Sequence, residues 1–121
     1  MSHSRVGLGR RGEELAVTAL TRRGYDVVAR NWRCQAGEVD IVARTEGTWV
    51  FIEVRTRRGP AFGTPEESLT PAKLARMATV AESYLAEHDL HDVDWRLDLV
   101  AVVLDDAGRL DRLDVLENVT W

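Results

Sequence analysis

The chain has 121 residues, 45% hydrophobic and 30% charged, the makeup expected of one globular domain over residues 1–121 rather than of a disordered segment. Its one cysteine, Cys34, excludes an internal disulfide and a cysteine-built zinc cage. The net charge of −4 hides a division: residues 1–76 hold 13 basic and 9 acidic side chains, and residues 77–121 hold 3 and 11. A polyanion is therefore expected to meet the first part of the chain. Met1-Ser2-His3-Ser4-Arg5 leads into no apolar signal-peptide core, and no apolar run nears membrane-spanning length. The expected location is the cytoplasm, with no membrane partner.

The first predicted element is a helix over 8–23, closed by Gly24 after two arginines. At about 100° per residue, Leu15, Ala16, Val17, Ala19 and Leu20 form one apolar arc. Glu13 falls inside this arc and is expected to point toward the protein body, whereas Glu14 falls outside it. A short strand over 25–29 leads into Asn31-Trp32-Arg33. A strand over 38–44, a tight turn at Glu46-Gly47 and a strand over 48–56 read as an antiparallel hairpin. Side chains alternate along a strand. Glu38, Asp40 and Val42 are thus expected on one face, opposite Val39, Ile41 and Ala43. On the next strand Trp49, Phe51, Glu53 and Arg55 share a face, opposite Val50, Ile52 and Val54. With a cooperating register, Asp40, Glu53 and Arg55 converge.

Residues 57–69 read as a loop containing Phe62-Gly63 and Thr64-Pro65. Thr70 is the expected N-cap of a second helix that begins at Pro71 and runs to about residue 87. A polar connection over 88–94 precedes a strongly apolar strand over 95–104. A turn over 105–108 leads to a final edge strand over 109–116. Helix, three strands, helix and two strands predict an α/β fold, a mixed central β-sheet flanked by helices.

Acids within apolar strands are costly unless a metal, an opposite charge or water compensates them. Asp40 and Glu53 are suitable oxygen ligands for Mg²⁺, which takes one or two carboxylates with water and substrate oxygens. Against this stands a structural alternative, in which Arg55 neutralises both acids in a buried ion-pair cluster. Glu38 is expected to form a salt bridge or cap a turn, and Asp98 to pair with Arg96 or Arg55. Trp32 and Trp49 read as packing residues, and His88-x-x-His91 as incidental.

An acid followed across a hairpin by Glu-x-Lys resembles the core of the PD-(D/E)xK nuclease superfamily, here Asp40 and Glu53-Val54-Arg55. More specifically, Gly12-Glu13, Gly24-Tyr25, Asn31-Trp32-Arg33, Gly37-Glu38-Val39-Asp40, Phe51-Ile52-Glu53-Val54-Arg55-Thr56-Arg57, Phe62-Gly63, Lys73 and Arg96-x-Asp98 resemble the bacterial YraN-like family, over nearly the whole chain. That family is similar to Holliday-junction resolvases. The resemblance implies a restriction-endonuclease-like fold and a Mg²⁺- or Mn²⁺-dependent endonuclease acting on DNA, including branched DNA. It implies Asp40 and Glu53 as metal ligands and catalytic residues, aided by the Val54 carbonyl, and Glu13 as the helix acid that completes or adjusts the metal site.

Arg55 departs from the superfamily's usual lysine. It keeps the charge and can grip phosphate with two nitrogens, but it is a poor general base. The chain has fifteen arginines and one lysine. That lysine, Lys73, lies near a helix N-terminus, where the dipole disfavours a cation. One expectation is that Lys73 reaches the metal site or the bound phosphate and partly replaces the strand lysine; the other is a solvated surface lysine. Arg33, Arg57, Arg58 and Lys73, with Arg30 and Arg76, are candidates to hold a phosphate backbone. Two further readings stay open: a module that binds DNA or a protein partner after its site decayed at Arg55, and a partner-dependent subunit such as a homodimer, with the last strand as a candidate pairing edge.

Overall fold

The computed structural model describes residues 2–59, 67 and 69–119, and side chains from Gly7 onward. The loop expected at Phe62-Gly63 and Thr64-Pro65 lies outside the described residues. Helix α1 (Ser2–Arg22) is followed by strands β1 (Asp26–Cys34), β2 (Gly37–Thr45) and β3 (Thr48–Arg58). Helix α2 (Pro71–Glu87), β4 (Asp94–Leu104) and β5 (Leu110–Leu116) complete the chain. Among the described residues no helix is long and apolar enough to cross a membrane.

The strands form one sheet in the order β1-β2-β3-β4-β5. The first three are antiparallel, β4 lies parallel to β3 after the α2 crossover, and β5 returns antiparallel to β4. The two helices cover opposite faces. Ala16 and Leu20 of α1 pack with Ile41, Ala43, Val50, Ile52, Val100, Val102 and Leu104. Val80, Ala81, Tyr84 and Leu85 of α2 pack with Val39, Val42, Phe51 and Leu97. Burial on both faces explains the almost unbroken apolar run of β4. The architecture is α/β, a mixed sheet between two helices, as in restriction-endonuclease-like folds.

Local signals placed α2 well. Thr70 is extended and its Oγ1 accepts the Lys73 amide at 3.2 Å, and Pro71 opens the helix. Trp32 and Trp49 pack near the Tyr84 ring, at 5.1 and 5.9 Å between centroids. His88 stacks on the same ring at 3.9 Å, while His91 approaches Asp89. Cys34 ends β1 half-buried against the α2-side core.

Four boundaries and faces differ from the sequence expectation. Helix α1 begins at Ser2, before the apolar arc that marked it. Strand β3 runs to Arg58 rather than 56, because Arg57 and Arg58 find parallel partners in Val103 and Leu104. Strand β1 continues through Asn31-Trp32-Arg33 to Cys34, held by pairing with β2. Val39 does not oppose Val42: both pack on the α2 side, three positions apart. Alternation therefore breaks around Asp40. Opposite this break, between the pairs Arg30↔Ile41 and Trp32↔Val39, Asn31 has a left-handed backbone with φ of 53°.

The β2–β3 ladder ends at Ile41↔Ile52. Beyond it Glu53–Arg58 pair only with β4, and the strands part where the two acids lie.

Candidate active site

Asp40 sits in the fork between β2 and β3. The Val54 amide, lacking a backbone acceptor on β2, donates instead to Asp40 Oδ2 at 2.8 Å. Glu53, one residue past the end of the ladder, turns to the same side as Phe51 and Trp49. The acids open onto a pocket of about 280 Å³ lined by Gly37 and Glu38 of β2, Arg55 of β3, and Lys73, Arg76 and Met77 of α2. The first turns of α2 thus close the pocket that β2 and β3 open.

Electrostatics here are dominated by burial of the two acids. Burial and then the neighbouring Glu53 carboxylate push Asp40 up to about 7, against the lowering effect of the Val54 amide. Burial also raises Glu53, while Arg55 and Lys73 oppose the rise. Arg55 Nη2 lies 2.9 Å from Glu53 Oε2. Its Nε is buried without a hydrogen-bond partner among the described residues. A bound anion would satisfy that nitrogen, and a cation would let both acids ionise.

The structure therefore brings together Asp40, Glu53, Arg55 and Lys73. Glu13 stands apart from the pocket lining. It accepts from Asn31 Nδ2 at 2.9 Å and from Arg30 Nη2 at 3.3 Å. With Arg10, Glu14, Arg30, Asn31 and Arg33 it lines a separate groove at the junction of α1 and β1. Its charge is still felt at Asp40, where it favours the protonated form. Among the described residues no three His, Cys, Asp or Glu side chains stand together closely enough to hold a metal ion. The residues present fit a Mg²⁺ or Mn²⁺ ion as a two-carboxylate site completed by water and substrate, with Glu13 in reach only through its field.

Glu38 pairs with Arg33 at 3.1 Å, the salt bridge expected for it, so Arg33 is engaged beside the pocket rather than within it. Arg57 and Arg58 end β3 alongside β4 and are not among the described residues lining the pocket. Asp98 pairs with Arg96, at 3.0 Å, and not with Arg55. It is fully buried and also accepts from Tyr25 Oη and the Asn118 amide.

Sequence reasoning missed two contributors. Gly12 packs on Thr56 so closely that a methyl group there would overlap the threonine side chain, which sets the distance of α1 from β3. A lone glycine beside a helix acid was a weak sign of that approach. Asn31 bonds the helix acid directly, and only its asparagine identity within a strand hinted at a left-handed residue.

The family model described as uncharacterised protein family UPF0102 matches residues 12–102. A UPF0102 protein of Roseiflexus castenholzii is 53% identical over 103 residues, covering 84% of this chain and 83% of the relative. One from Arthrobacter sp. (strain FB24) is 47% identical over 112 residues, covering 93% and 94%. One from Geobacter sulfurreducens is 41% identical over 114 residues, covering 93% and 89%.

Proposed function

The chain belongs to the uncharacterised protein family UPF0102, the YraN family, and we propose that it is a metal-dependent endonuclease that hydrolyses phosphodiester bonds in DNA, branched DNA included. The observation that carries this reading is the Asp40–Glu53 pair, two half-buried acids at a strand fork with Arg55 and Lys73 beside them in one pocket.

In this reading Asp40 and Glu53 would hold Mg²⁺ or Mn²⁺, aided by the Val54 carbonyl, and Glu13 would act on the site only through its field. When bound, the ion supplies positive charge for the phosphate oxygens and lowers the pKa of a water molecule. Arg55 exchanges its hold on Glu53 for the phosphate, and its unpartnered Nε takes one of the phosphate oxygens. It stabilises the charge that builds as water attacks phosphorus and the bond to the leaving sugar oxygen breaks. Lys73 reaches the same phosphate from α2, supplying the charge that a strand lysine would give. Arg33, Arg57 and Arg58 hold the flanking backbone through sequence-independent contacts.

A second reading rests on the Arg55–Glu53 contact itself. That pair partly neutralises the acids without any ion, as in a nuclease-fold module that binds DNA or a protein partner without cutting.

The test is cleavage of labelled linear, flap, single-stranded and four-way-junction DNA in Mg²⁺, Mn²⁺ or EDTA, beside the Asp40→Asn/Glu53→Gln variant. Metal-dependent cutting by wild type alone supports the nuclease. Binding without cutting, by folded protein, selects the second reading.

A further inference from the structure

Three cations line the Asp40–Glu53 pocket, and each sits where local physics is unfavourable without an anion. Lys73 lies in the first turn of α2, where the helix dipole repels positive charge and no acid offsets it. Arg76 follows three positions later on the same side of the helix, and like charges at that spacing repel. Arg55 has a buried Nε with no hydrogen-bond partner among the described residues, and a buried donor is costly to leave unpaired. One ligand, an anion seated between β3 and α2, answers all three.

The pocket's own acids do not supply that anion to α2. Glu53 meets Arg55 Nη2 at 2.9 Å, Asp40 accepts the Val54 amide at 2.8 Å, and Glu38 accepts from Arg33 Nε at 3.1 Å. Among the described residues no carboxylate comes within salt-bridge distance of Lys73 or Arg76, although the Lys73 charge is felt at Glu53. Arg76 is exposed, yet its stem is seated. Its Cδ and Cγ lie 3.6 and 3.8 Å from where a methyl group on Gly37 would stand. The φ of 147° at Gly37 favours glycine there, so β2 offers the arginine stem bare backbone. Arg76 thus lies across the gap between α2 and the start of β2, on the open side of the pocket.

We infer that this pocket binds a phosphate group without help from a cation, and that Arg55, Lys73 and Arg76 are the groups that hold it. The phosphate is one of a DNA backbone, an assignment that rests on the endonuclease reading; the hold itself needs neither the metal nor the cut. Arg55 from β3 and Arg76 from α2 offer planar donor forks, and Lys73 offers a point charge. Arg76 is thereby a binding residue of a complex that DNA forms before any metal is required.

Two probes test this in EDTA: a labelled DNA duplex, followed by its binding, and inorganic phosphate, followed by thermal unfolding. Wild type would be compared with Arg76→Gln, Arg76→Lys, Arg55→Gln and, as a control for lost charge, Arg22→Gln in the last turn of α1. Glutamine keeps the stem that packs on Gly37. Arg76→Gln is expected to weaken duplex binding about tenfold, the scale of one charge-assisted hydrogen bond, and to lower the salt dependence by about one phosphate contact. Arg76→Lys should restore the salt dependence, and Arg22→Gln should leave both near wild type. Inorganic phosphate should raise the melting temperature of wild type but not of Arg55→Gln or Arg76→Gln. Equal losses in Arg22→Gln and Arg76→Gln would overturn the inference, because net charge alone would then explain binding. Failure of both probes to bind in EDTA would also overturn it, and cleavage in Mg²⁺ by the same protein would leave the endonuclease standing. Phosphate binding that depends on Arg55 and Arg76, with no duplex bound, would overturn DNA as the ligand in favour of a free phosphate. Duplex binding that depends on Arg76, with no cleavage in any metal, would keep the inference and sink the endonuclease.

Discussion

Two aspartates on neighbouring parts of one sheet, one fully and one partly buried, have opposite fates. Asp98 is fully enclosed, and its hydrogen-bond partners among the described residues are all donors: Arg96 through Nε and Nη2, the Tyr25 hydroxyl and the Asn118 amide. Burial and the adjacent Asp98 hold the Tyr25 phenol above its ordinary value, which keeps it a donor. Asp40 is less enclosed but worse provided for, with one amide donor and a second carboxylate beside it. Burial alone is therefore not the mark of a site. Charge that the fold has buried and left unbalanced is the better sign.

The comparison breaks most readily at Asp98. Asp98→Ala should cost about 3–5 kcal/mol, because it strands Arg96 and orphans the Tyr25 hydroxyl and the Asn118 amide. Urea unfolding in EDTA measures it; a loss below 1 kcal/mol would mean the cluster is not structural.

Asp40→Asn should do the reverse. It is expected to lower metal-dependent cleavage by at least about 100-fold, the scale of losing one strong transition-state interaction, while leaving metal-free protein at least as stable as wild type. The sign follows from protonation. Asp40 shifts from 3.8 to about 7 on folding, so between those values the folded state holds a proton that the unfolded chain has released. Metal-free stability must then fall as pH rises through that window, and it is fully favoured only below it. Melting temperatures from pH 4 to 8 in EDTA should show this decline in wild type and a flatter profile in Asp40→Asn.

Gly12→Ala sharpens the contrast by moving α1 without touching either acid. Overpacking against Thr56 should cost about 1–3 kcal/mol by thermal unfolding. The smallest effect is expected for Arg33→Ala. It removes an exposed pairing with Glu38 and should change stability by no more than about 1 kcal/mol in the same assay.

The same contrast separates what local sequence specifies from what only the assembled fold does. Thr70 and Pro71 announced α2 through local chemistry, and Glu46-Gly47 announced the hairpin whose register brings Asp40 to Glu53. Alternation placed Glu53 and Arg55 on the face of Phe51, where α2 brings Lys73 to them. It failed at Val39, where the neighbouring strand carries the left-handed Asn31, and single-strand periodicity carries no information about a neighbour. It also gave Asp98 only its Arg96 partner. Tyr25 and Asn118 reach it from 73 and 20 positions away, contacts that only the assembled fold creates.

The fork between β2 and β3 has a spectroscopic consequence. The Val54 amide proton rests on a side-chain carboxylate, where its neighbours in the ladder rest on carbonyls. Its resonance frequency and its exchange with deuterium should therefore follow what occupies Asp40, be it a proton, a cation or neither. A single backbone probe, needing no added label at the acids themselves, is built into the strand beside them.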